Sequence, residues 1–184
     1  MLSDSEKQVL LNIARQSIEA SVSEHEMPKA VITQPALRTH AGAFVTLHEH
    51  GELRGCIGYI DPLKPLIDTV QDAAAKAALD DPRFMPVHPN ELQHIEIEIS
   101  VLSPLHEIAS VEEIVIGKHG VVVELDNHRG LLLPQVAVEA GWDKQTFLHQ
   151  TFRKTGLPEH LWHHKDMKIS IFTAEVFSEA TVGK

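Results

Sequence analysis

The stretch ELQHIEIEISVLSP, running from Glu91 to Pro104, alternates apolar and polar side chains with a period of two. Ile95, Ile97, Ile99 and Val101 fall on one side, and His94, Glu96, Glu98 and Ser100 on the other. Successive residues of an extended chain point to opposite faces, so this pattern belongs to a strand with one face in a core and one toward water. It commits the chain to a sheet whose apolar face must be covered by something else.

The cover is legible nearby. In SDSEKQVLLNIARQSIEASV, Ser3 followed by Glu6 fits a capping box, and Leu10, Ile13, Ala14, Ser17 and Ile18 form one helical stripe. PLKPLIDTVQDAAAKAALDDPRF predicts a helix from Pro65 to Leu79, with Leu66, Val70, Ala73, Ala74 and Ala77 along one side. Asp80-Asp81-Pro82 stops it, because the residue before a proline is pushed out of helical geometry. GAFVTLHEHGELRGCIGYI reads as two strands around a turn at His48 to Gly51, and Glu24 to Pro35 as a loop. Further on, IVIGKHGVVVELDNHRGLLLP predicts a short strand and then a hairpin turning near Asp126 to Gly130. Two short helices follow, one closed by Gly141 and one running from an Asp143 cap to Gly156. KISIFTAEVFSE reads as one closing strand. Strands joined by short turns and grouped apart from helices define an α+β fold with mainly antiparallel sheet.

The chain has 184 residues, enough for one domain with a real core. No run approaches the roughly 18 apolar residues of a membrane span, and the acidic, amphipathic start MLSDSEKQVL is unlike a signal peptide, so a cytoplasmic protein is expected. The net charge of −10 argues against binding the nucleic-acid backbone, which calls for clustered Lys and Arg; action on RNA would require a locally basic pocket. A single cysteine, Cys56, forbids an internal disulfide and any all-cysteine zinc or iron–sulfur site.

Cys56 stands in GELRGCIGYIDP. Strict alternation puts Arg54, Cys56 and Gly58 on one face and Leu53, Gly55 and Ile57 on the other. A neighbouring guanidinium stabilises a thiolate, and glycines inside a strand mark a bend or a close approach. The stretch therefore reads either as an Arg–Cys pair beside a ligand or as a tightly packed strand with a small buried thiol and a structural ion pair. Asp80, Asp81 and Arg83 could bind an anion or pair among themselves in a turn anchored by Phe84. Glu96 and Glu98 lie about 7 Å apart on one strand face, a spacing open to acid–base work, to a cation, or to a solvated surface. His48 and His50 share a face if the strand continues through them, but neither they nor His163-His164 have a third ligand nearby in sequence, so no metal site is assigned. Lys118 and His119 sit in a glycine-bracketed turn that lacks the phosphate-loop pattern.

Taken in order, LRGCIG, DPRF, IEIEISVLSP, IGKHGV, GLLLPQVA, GWDKQTFL and KTGLP resemble the AMMECR domain family, whose prokaryotic members are called AmmeMemoRadiSam system protein A. The resemblance runs from about Ala43 to Trp162, with a compatible helix before and strand after, and so takes in residues 1–184 as one domain. It implies a two-lobed α+β fold, the larger lobe holding both termini, the smaller drawn from the middle of the chain, and a cleft between them. It brings no established activity with it and leaves the cofactor unknown. It associates such proteins with a Memo-like, dioxygenase-related protein and a radical S-adenosylmethionine protein. The family signature falls on Leu53, Arg54, Gly55, Cys56, Ile57 and Gly58, and on Asp81, Pro82, Arg83 and Phe84. Phe152 stands where a small residue or cysteine is common in the family, so no second thiol is at hand.

Two functions follow as expectations. In one, the chain is an accessory or ligand-binding component of that pathway, with LRGCIG as architecture. In the other, it is an enzyme with Cys56 as nucleophile or redox thiol, Arg54 as activator or clamp, and Glu96 or a histidine as proton carrier.

Overall fold

The structure, a computed structural model, describes residues 1–29 and 33–182. The expected loop from Glu24 to Pro35 includes residues 30–32, which lie outside the described residues. The chain divides into two compact units, Met1–Leu102 with Glu175–Lys184, and Ser103–Ala174.

The first unit sets two helices on one face of a four-stranded sheet. Helix α1 spans Asp4–Val22 and opens on Ser3, whose hydroxyl accepts the Glu6 N–H while the Glu6 carboxylate accepts the Ser3 N–H, the predicted capping box. Helix α2 spans Leu66–Leu79. Strands β1 (Ala43–Glu49), β2 (Glu52–Tyr59) and β3 (Ile95–Leu102) lie in the order β2-β1-β3, followed by β8 (Ala174–Ser178). Both β1 pairings are antiparallel. All five residues of the expected α1 stripe, and all five of the α2 stripe, are buried. They meet Val45 and Leu47 of β1, Ile95, Ile97 and Ile99 of β3, and Phe177 of β8 in one core.

The β1–β2 connection is a two-residue turn, His50-Gly51, with φ of 54° and 84°. Left-handed geometry at both central residues is the turn that matches the twist of paired strands. The sheet register slips between Leu47 and His48, so that Leu47 faces Gly55, His48 faces Leu53, and Arg54 is the extra residue of a bulge. This overturns the strict alternation expected for LRGCIG. Leu53 falls out of phase with Gly55 and Ile57 and registers on the side of His48.

The second unit holds β4 (His106–Glu107), β5 (Gly120–Leu125), β6 (His128–Leu132) and β7 (Lys168–Phe172), in the order β4-β7-β5-β6. Helices α3 (Pro134–Glu139) and α4 (Lys144–Arg153) pack on it. Phe147 and Phe152, both fully buried on α4, fill its core with Val121, Val123 and Ile114. After α3, Gly141 takes φ of 64°, its N–H bonds Val138 O and the Trp142 N–H bonds Ala137 O, closing the helix in a Schellman motif. Asp143 caps α4 through the Thr146 N–H.

Two expectations fail here. The short strand in IVIG is absent; Ile114 instead follows a 3-10 turn at Val111–Glu113 and is buried as a plug. KISIFTAEVFSE is two strands serving two sheets, β7 beside β5 and β8 in the first sheet. They part at Thr173, whose N–H bonds the Ser103 hydroxyl and whose carbonyl accepts the Ser103 N–H.

A methyl placed on Gly55 would lie 2.2 Å from the Ala77 carbonyl oxygen, so α2 rests on β2 with no room for a side chain. Gly55→Ala is expected to destabilise the protein by about 1–3 kcal/mol, read as a lower urea midpoint. An unchanged midpoint would show that the helix can lift away.

Candidate functional site

The sheet face turned away from α1 and α2 carries three rows set by the register. Leu53, His48 and Glu96 form one; Cys56, Thr46 and Glu98 the next; Gly58, Phe44 and Ser100 the third. Cys56 is half-buried in the middle row, and its Sγ accepts the Thr46 hydroxyl at 3.3 Å. Burial pushes the thiol pKa up, and the nearby Asp81 and Glu98 charges add to that, while the Thr46 hydroxyl and Arg83 pull the other way. The upward causes prevail, so the sulfur is held as a neutral thiol at neutral pH.

The backbone of Cys56 is gripped from the open edge of β2. Its N–H donates to Asp81 Oδ2 at 2.9 Å, and its carbonyl accepts from Arg83 Nη2 at 3.4 Å. Asp81 in turn accepts the Arg83 N–H at 3.1 Å, Nε at 3.0 Å and Nη2 at 2.7 Å. A carboxylate and a guanidinium thus do for Cys56 what a neighbouring strand would do. Asp81 is 4% exposed, and the Arg83 guanidinium holds its carboxyl far below the usual carboxylate range, helped by the Cys56 N–H. The turn is anchored in the core by Val87, 3% exposed, whose N–H bonds Ala78 O. Phe84, expected as the anchor, is only partly buried and lies between the Arg54 and Arg83 guanidinium groups, 6.0 and 5.5 Å from its centroid.

Arg54 turns to Glu91, with Nε to Oε1 at 2.7 Å and Nη2 to Oε2 at 3.1 Å. This fork-on-fork pair raises the Arg54 pKa and lowers that of Glu91. The cation that acts on the thiol is Arg83. Gly58 is needed because a methyl there would meet the Phe44 ring at 2.3 Å and Ala43 O at 2.5 Å. Ile57 packs against the helix-side core. Glu96 is exposed opposite His48. The structure therefore brings Cys56, Asp81, Arg83 and Glu98 together, and sets Arg54 on a separate partner.

Elsewhere, His119 Nδ1 accepts the Val115 N–H, so its ring closes its own turn. His163 lies tilted against Trp162, with ring centroids 4.8 Å apart, and His164 lies 3.9 Å from Asp166. Among the described residues, no three His, Cys, Asp or Glu side chains are gathered about one point as metal ligands. Sequence reasoning missed a polar network at the far end of β2. The Tyr59 hydroxyl donates to Asp72 at 2.6 Å and accepts from Lys76 Nζ at 2.7 Å, while Lys64 Nζ bonds the same Asp72 oxygen at 3.1 Å. Its only signal was the Asp72–Lys76 spacing of four on a helix.

Two four-stranded antiparallel sheets with covering helices, one of them carrying an edge strand clamped by an Asp–Arg pair, define an α+β protein. The model of the AMMECR1 family matches residues 11–177, and the chain belongs to that family. It is 44% identical over 183 residues to a protein of Thermococcus onnurineus, covering 92% of this chain and 88% of that one. It is 43% identical to a protein of Methanothermobacter thermautotrophicus, covering 97% and 96%. The crystal structure of the uncharacterized protein PH0010 from Pyrococcus horikoshii superimposes with a TM-score of 0.86 at 40% identity, over 94% of this chain and 91% of that one. None of the helices described is long and apolar enough to cross a membrane.

Because the Asp81 carboxyl binds its proton more weakly folded than unfolded, its stabilisation is complete above about pH 5 and fades as pH falls below about 4. Asp81→Ala is expected to cost about 1.5–3 kcal/mol at pH 7, and the gap from wild type to narrow at pH 3. Urea titrations at the two pH values check this, and an equal gap at both would refute the assignment.

Proposed function

We propose that this protein is a binding component, presenting the hairpin end of the helix-free face of its first sheet to a partner or small ligand, with the LRGCIG strand as its scaffold. The observation that carries this reading is how the signature is spent. Gly55 and Gly58 answer to Ala77 and Phe44, Arg54 to Glu91, and the Cys56 backbone to Asp81 and Arg83. The thiol itself is kept protonated, which is the opposite of what a nucleophilic or redox cysteine requires.

Membership of the AMMECR1 family supports partners of the kind the resemblance implies, a Memo-like protein and a radical S-adenosylmethionine protein. The exposed Leu53, beside His48 and Glu96, offers such a partner an apolar point rimmed by polar groups.

Native protein at pH 7.5 is expected to react with iodoacetamide more slowly at Cys56 than the same chain in urea. Cys56→Ala is expected to retain whatever association wild type shows with a purified Memo-like protein. A native thiol that reacts faster than the unfolded one, with Cys56→Ala abolishing function, would replace the binding reading with a catalytic one.

A further inference from the structure

We propose that the hairpin end of the first sheet binds one divalent transition-metal ion through His50 and His94, with His48 and Glu96 beside them to complete the coordination. It shares His48 and Glu96 with the docking point above, but metal binding by the chain alone is measured without any partner, so either reading can fail without the other.

The two imidazoles face each other across the β1–β3 boundary with ring centroids 5.0 Å apart and planes inclined by 37°. Two imidazoles bound to one ion at metal–nitrogen distances of about 2.0–2.1 Å place their centroids about 5 Å apart. The register brings the next ligand types alongside. His48 on β1 lies directly opposite Glu96 on β3; His50 stands two residues on, in the turn after β1, and His94 two residues earlier, at the end of the 3-10 turn Pro89–His94 that leads into β3. Three imidazoles and a carboxylate thus gather at the hairpin end of the sheet. Only His50 and His94 are already face to face; His48 or Glu96 must turn inward to supply a third ligand.

Two features favour a cation there. The Gln93 amide nitrogen lies 3.1 Å from His94 Nε2 and 3.5 Å from Asn90 O. Turned over, the amide brings its oxygen to the ring, accepts the Nε2 proton and leaves the Nδ1 lone pair for a metal, the outer hydrogen bond that commonly orients a ligating histidine. The chain's charge of −10 draws cations toward its surface. Imidazole-rich sites with one carboxylate suit Zn²⁺, Ni²⁺ and Cu²⁺ rather than Mg²⁺ or Ca²⁺. The site escapes a linear reading because its halves, His48 with His50 and His94 with Glu96, lie more than 40 residues apart in the chain and meet only where β1 pairs with β3.

His50 sits at the first central position of the turn with φ of 54°, where asparagine is equally at home, so His50→Asn preserves the hairpin. The test is calorimetric titration of the tag-free chain with ZnCl₂ and with NiCl₂ at pH 7.5, after confirming that each variant keeps the wild-type urea midpoint. One tightest ion per chain is expected, weakened at least about tenfold by His50→Asn and by His94→Gln, and unaffected by His163→Gln. No binding by wild type, or wild-type affinity in the His50→Asn/His94→Gln double variant, overturns the proposal.

Discussion

The Asp81 carboxylate on the Cys56 N–H is the interaction around which the first unit is arranged. Strand β2 lies at the edge of its sheet, so at Cys56 the N–H and carbonyl have no neighbouring strand. The chain leaving α2 brings Asp81 and Arg83 to those two groups in the right order, donor to acceptor and acceptor to donor. The end of α2, the edge of β2 and the turn between them are tied at one point. That tie holds α2 near enough to β2 for Gly55 to lie under the Ala77 carbonyl. A second tie, Arg15 of α1 to Glu179, with Arg15 also donating to Leu92 O and Ile95 O and Glu179 accepting the Ile97 N–H, fixes the other helix to β3 in the same manner.

What the sequence made legible was whatever depends on local period. The alternation in IEIEIS, the stripes on α1 and α2, the Ser3–Glu6 box and the caps at Gly141 and Asp143 each follow from residues within one or two turns of one another. Register lies beyond such a window. The bulge at Arg54 exists only because β1 and β2 slip by one residue, and nothing in LRGCIG itself announces it. KISIFTAEVFSE failed as a single strand because its apolar pattern runs unbroken; the division rests on Ser103, some 70 residues away. Asp81 read as a turn residue because its burial comes from the strand it serves.

The candidate site shows the same division. Cys56 and the glycines around it were visible as a constellation, and the choice between chemistry and architecture was not. Arg54 lies two residues from Cys56, yet its guanidinium answers to Glu91, while Arg83, 27 residues away, is the cation that acts on the sulfur. Proximity in sequence named the wrong arginine because a bulge intervened. In LRGCIG the demands the structure shows are steric and backbone ones: a helix carbonyl over Gly55, an aromatic ring over Gly58 and an edge filled at Cys56.

The edge-filling clamp also bears on what the chain does in a crowd. An uncovered strand edge is a template on which another chain can add its own strand. By occupying the Cys56 N–H and carbonyl with side chains of the same molecule, Asp81 and Arg83 remove that template at the centre of β2. Loss of the clamp would therefore be felt first as a change in solubility, with molecules pairing through their edges at concentrations where the fold itself still holds.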